Sequence, residues 1–139
     1  VTEGAPALPV DPVEALRFVL DDVVNRLGRL PESRLVGGRD AVDGLTVAAI
    51  AHSTAQQLAD LAAGVERRDS PQPPVSRVLP DLGPFVVSDQ LAVTGTDLLA
   101  GAAGLDPAAV VWAPDGRRGP LAAVLAAGRQ ALEELRRRL

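Results

Sequence analysis

Apolar residues recur along this chain at the three-and-four spacing of an α-helix, most cleanly near its two ends. In the first such run they fall at Val13, Leu16, Leu20, Val23, Leu27 and Leu30. Phe18, Val19 and Val24 widen this stripe, while Arg17, Asp21, Asn25, Arg26 and Arg29 supply the wet side. Asp11 as N-cap, Pro12 at the first helical position and Glu14 three residues after the cap predict the start, and Pro31 predicts the end. A matching run opens at Pro120 and carries Leu121, Leu125, Gly128, Leu132, Leu135 and Leu139 in a four-three alternation.

Two further helices are expected between these. One runs from a cap at Asp40, after Gly37 and Gly38, to about Arg68. It has one face of Val47, Ile50, Thr54, Leu58, Leu61 and Val65, and a second face of Ala48, Ala55, Ala59 and Ala62, small enough for another helix to approach closely. The other runs from Pro84 to about Gly104, with Phe85, Ala92, Val93, Leu99, Ala100 and Ala103 on one side and Val87, Leu91 and Leu98 on another. Its Gly95, Gly101 and Gly104 read as points of close packing. The intervening DSPQPPVSRVLPDLGP holds five prolines and reads as a crossover loop. After the third helix, Asp106 and Pro107 open a short helical turn, and Pro114, Asp115 and Gly116 form a turn, with Trp112 between them. No alternating strand pattern exceeds a few residues. The expectation is an all-α four-helix bundle over residues 11–139, with a long Pro-rich crossover between helices two and three. Residues 1–10, with two prolines and no periodicity, read as a loose arm.

Composition narrows the chemistry. A chain of 139 residues is the size of one domain with one core. Its apolar share is made of 23 Ala, 20 Leu and 18 Val against one Ile, two Phe and one Trp, which favours thin-sided helices packed closely. There is no cysteine, which excludes disulfides and thiolate chemistry, and the single histidine, His52, makes no multi-histidine metal site. No metal or cofactor is expected. All 14 basic residues are Arg, which reads as codon bias. The net charge of −4 argues against a general nucleic-acid binder. Residues 1–10 lack a basic start and an apolar segment, so no signal peptide is expected, nor any membrane span, and the protein is read as cytoplasmic.

Charge is unevenly placed. From Val78 to Gly116 there are five Asp and no basic residue, whereas six Arg and two Glu follow. The terminal LEELRRRL reads as a solvated helix end, with Glu133 to Arg137 and Glu134 to Arg138 in the favourable i, i+4 order. An acidic third helix and a basic fourth could steer each other's pairing.

His52, Gln56 and Asp60 fall at i, i+4 and i+8, along one line of the second helix. The plain reading is a histidine bridging two helices at the edge of the alanine face. The string Ala49-Ile50-Ala51-His52, continued by Ser53-Thr54-Ala55-Gln56-Gln57-Leu58-Ala59, resembles the histidine box of sensor-kinase dimerisation domains. Where those boxes carry an acidic residue and a proline, this chain has Ser53 and Gln57. It is also similar to histidine phosphotransfer bundles, with Ala55 and Gln56 where those carry Lys and Gly. The resemblance implies His52 as phosphoacceptor. Asp89, if buried, needs His52 or an arginine as partner; otherwise it reaches solvent. Trp112 reads either as a partner or ligand anchor or, preferentially, as a cap on the bundle's end with its N–H on a loop carbonyl.

The leading functional expectation is a non-enzymatic bundle acting through protein–protein contact or self-association as a homodimer. The alternatives are a histidine phosphotransfer module using His52 and a bundle holding a small apolar ligand.

Overall fold

A computed structural model of the chain describes residues 11–37 and 45–139. It is mostly helical. In chain order come α1 (Pro12–Gly28), α2 (Glu32–Val36), α3 (Val47–Glu66), α4 (Val87–Ala102), β1 (Val110–Trp112), β2 (Arg118–Pro120) and α5 (Leu121–Arg136). The all-helical expectation holds for the bulk of the chain, with a two-stranded antiparallel sheet added. Each strand is three residues long, too short for an alternating pattern to register. The loose arm of residues 1–10 and the cap at Asp40 lie outside the described residues.

Side-chain caps mark the starts of α1 and α3, whereas α2, α4 and α5 have none. The Asp11 carboxylate accepts from the Val13 N–H, and Pro12 stands at the first turn, where no N–H is required. At α3 the cap is Thr46, whose hydroxyl accepts from the Ala49 N–H at 3.0 Å. The α1 stripe buries Leu16, Val19, Leu20, Val23 and Leu27, whereas Phe18 points outward. The α5 stripe buries Leu121, Val124, Leu125, Gly128, Leu132 and Leu135.

On α4 one of the two expected faces is split: Leu99 is buried as expected and Ala92 half-buried, but the rest turns outward. Val87, Leu91, Leu98 and Leu99 are buried, but Phe85, Val93, Ala100 and Ala103 are exposed. Alanine and valine carry the same hydropathy on either side, and Thr94 and Gly95 take the inward positions instead. Thr94 is tolerated there because its hydroxyl donates to the Gln90 carbonyl at 3.0 Å.

Specific approaches set the arrangement of the long helices. Gly95 of α4 lies against Leu20 of α1 so closely that a Cβ there would stand 2.5 Å from a leucine methyl. Gly101 faces Val65 of α3, while Gln90 shares a backbone partner with His52 of α3, so α3 and α4 run in the same direction. Gly128 of α5 sits beside Leu16, and Arg136 reaches Asp22 at 3.5 Å, so α1 and α5 also run together. α1 touches α4 and α5, and α3 touches the same two. The acidic α4 and basic α5 therefore face each other only across the core, at Leu98 and Gly128, and do not pair by charge. That expectation is overturned because the Pro-rich return sets α4 beside α3. On α5 itself the described ion pair is Arg129 with Glu133 at 4.0 Å, in place of the two expected pairs further on.

Candidate functional site

The polar line on α3 meets backbone. Residues 71–83 return along α3 from its C-terminal end to its N-terminal half, as successive contacts show. Asp60 accepts from the Ser76 hydroxyl at 2.9 Å. One turn earlier, the Gln56 amide donates to the Arg77 carbonyl at 2.8 Å and accepts from the Leu79 N–H at 2.7 Å. One turn earlier again, His52 Nε2 lies 3.2 Å from the Pro80 carbonyl, to which Gln90 of α4 also donates at 2.9 Å. A carbonyl only accepts, so the imidazole nitrogen facing it is the protonated one.

A segment with four prolines, at 71, 73, 74 and 80, cannot build its own ladder, since each proline lacks an N–H and its bound neighbours have no adjoining strand. Where it packs on α3, its backbone groups meet side chains in place of a ladder, and the rest face water. Gln56 suits this role because one planar amide presents both a donor and an acceptor, matching the carbonyl of one residue and the N–H two residues on. Its second N–H goes to Asp60 at 3.1 Å, which fixes which end of the amide is nitrogen.

The start of the same segment is clamped by the hairpin. Trp112 and Arg118 are direct partners across β1 and β2. The Trp112 indole N–H donates to the Ser70 carbonyl at 3.2 Å, and Arg118 donates to the Arg68 carbonyl at 2.9 Å and the Ser70 carbonyl at 2.7 Å. The guanidinium stands 4.1 Å from the centre of the indole ring. Trp112 is only 8% exposed and rests at the end of α3, where Gly64 admits the strand backbone.

His52, Gln56, Asp60 and Trp112 are thus brought to one task, holding the segment that links α3 to α4. Asp89 is not part of it: its side chain is exposed and makes no hydrogen bond or ion pair with a described residue. Gln90, Ser76 and Arg118 belong to the arrangement and were not singled out from sequence. The signal available for them was the segment's shortage of donors, which demands nearby amides and guanidinium groups.

Chemically, the line is engaged with backbone groups of the return segment. His52 is half-buried beside a cleft of about 280 Å³ that it shares with Val36, Thr46, Ala48, Asp81 and Val87. Among the described residues, the charged group in that lining is the Asp81 carboxylate. Among the described residues, no group of three or more His, Asp or Glu is placed to hold a metal ion.

A second feature lies on the outer side of the same segment. A groove of about 530 Å³ runs between it, α3 and α4, with Val75 and Leu79 on one wall, Val93 and Asp97 on the other, and alanines of α3 as floor. Val75 is 86% exposed, Val78 87%, Phe85 67% and Val93 59%.

Among known proteins, no family model, no curated protein and no solved structure matches the chain. No helix among the described residues is long and apolar enough to cross a membrane.

Proposed function

We propose that the chain is a non-enzymatic helical module that acts by protein–protein contact, contact between two copies included. Its architecture in this reading is a four-helix bundle of α1, α3, α4 and α5, with residues 67–86 as the crossover that lets α3 and α4 run in parallel. A cytoplasmic location belongs to the same proposal.

The observation that carries it is the grouping of exposed large apolar side chains. Of the nine exposed large apolar residues among the described ones, five (Val75, Val78, Leu82, Phe85 and Val93) lie between residues 75 and 93, in the crossover and on the outer side of α4, while Phe18, Val36, Leu45 and Val110 are scattered elsewhere. Solitary exposed apolar residues are ordinary on any surface. Five within one short stretch leave unused a burial worth about 1.5–3 kcal/mol each, a driving force available to a partner. The support from the α3 line is indirect: side-chain hydrogen bonds hold this surface in a fixed shape before any partner arrives, which lowers the ordering cost of binding.

A photo-crosslinking amino acid placed at position 93 and, separately, at the exposed Ala126 of α5 tests the reading in the native cells. Adduct at 93 and none at 126 is the expected result, and an adduct of two chains identifies self-association. The absence of adduct at 93 would overturn the proposal.

A further inference from the structure

We infer that the outer side of α4 docks a basic amphipathic helix of a partner protein; the inference rests on the contact reading above and names the partner's chemistry. Asp89, Val93, Asp97 and Ala100 follow one another at helical spacing, and all four are exposed. Phe85 precedes them by one further turn's spacing in the turn that leads into α4, and it is 67% exposed. The ridge therefore alternates apolar and acidic positions. Val75 of the return segment faces it across the groove.

Charge fixes which partner suits this ridge. Neither Asp89 nor Asp97 is paired with a cation among the described residues, and the chain carries no basic residue from Val78 to Gly116. Arg67 and Arg77 line the groove beside Asp97, at α3's end and on the return segment, together with the carboxylates of Asp60 and Glu66. A helix with large apolar residues three and four apart would bury Phe85 and Val93, and arginines or lysines on its flanks would meet Asp89 and Asp97. An acidic or uniformly polar helix would leave two carboxylates facing like charge or desolvated without partners.

The test uses a designed probe: a helical peptide of about 18 residues, long enough at 1.5 Å per residue to cover α4, with leucines on one face and arginines flanking them. A second peptide has every flanking arginine replaced by glutamate. Fluorescence anisotropy with the full chain is expected to show binding of the basic peptide and none of the acidic one, weakening as salt rises. Asp89→Arg together with Asp97→Arg is expected to weaken the basic peptide about tenfold, the size set by two partly desolvated charge contacts. Val93→Ser, which leaves charge unchanged, should weaken it also, and Glu134→Arg on the exposed side of α5 should leave it within about twofold. Equal binding of the two peptides, no binding of the basic one, or equal loss with Glu134→Arg would each overturn the inference. If crosslinking at position 93 still forms an adduct in that event, the contact reading stands and only the partner's chemistry falls; if it too is absent, both fall.

Discussion

At Gln56 a single amide makes three hydrogen bonds, to the Arg77 carbonyl, the Leu79 N–H and the Asp60 carboxylate. Its replacement by leucine keeps the volume and removes all three. The Arg77 carbonyl is exposed and turns to water, but Leu79 is half-buried against the core, so its N–H loses a partner in a poorly hydrated place. Removal of one partner of a half-buried bond costs about 1–3 kcal/mol, so Gln56→Leu is expected to lower unfolding free energy by about 2 kcal/mol in urea titration. Amide exchange at Leu79 should accelerate in the same variant. His52→Ala removes one bond to a carbonyl that Gln90 still serves, and a smaller loss, below about 1 kcal/mol, is expected. Equal losses for the two variants would show that the amide has no special role. A parallel assay on His52 separates structure from chemistry: incubation with a small phosphodonor is expected to give no acid-labile phosphate on the wild-type chain, since Nε2 is engaged with Pro80 and Asp81 lines the adjoining cleft.

Between elements, the approach of β1 to α3 depends on the absence of a side chain at Gly64. A Cβ there would overlap the Trp112 carbonyl, which belongs to backbone and cannot swing away as a flexible side chain does. Gly64→Ala should therefore push the hairpin off α3 and lower stability by about 2–3 kcal/mol, against a neutral or slightly stabilising Gly28→Ala, where nothing lies within 4 Å of the added carbon. Paired thermal melts check this, and similar melting temperatures would refute it. The contrast also shows what was legible in the sequence. α1 and α5 were readable in their main stripes, whose three-four spacing is one-sided, although Phe18, expected to widen the α1 stripe, faces solvent. α4 was half-readable: Val87, Leu91 and Leu98 pointed to the core correctly, but Val93, Ala100 and Ala103 look equally apolar and face solvent. The turn at Pro114, Asp115 and Gly116 was visible in its residues, whereas the three-residue strands beside it were below any periodicity. For the candidate site, the spacing of His52, Gln56 and Asp60 placed them on one line, but their partners are backbone groups. A carbonyl has no residue identity, so the pairing had no trace in the sequence beyond the prolines that create the need for donors.

For the whole molecule, the placement of the sole tryptophan decides whether the described elements unfold together. Trp112 lies where the end of α3, the start of the return segment and the hairpin converge, and α5 follows directly from the second strand. The helices themselves meet at one centre, since Gly128 of α5 faces Leu98, Leu58 and Leu16, one residue from each of the other three long helices. Loss of any one helix uncovers the side chains of at least two others, so partial structures retain little of the buried area that stabilises the whole. Tryptophan emission reports the junction, and far-UV circular dichroism reports all the helices. In urea, the two transitions are expected to coincide in midpoint and steepness for the wild-type chain, as one cooperative unit requires. Gln56→Leu provides the sharper comparison, because it weakens the return segment without touching the core. If that segment is integral, both probes shift to lower urea by the same amount. If instead the emission change of the variant precedes the loss of helix, the segment and hairpin form a separately melting layer over the helices, and the chain is not one unit.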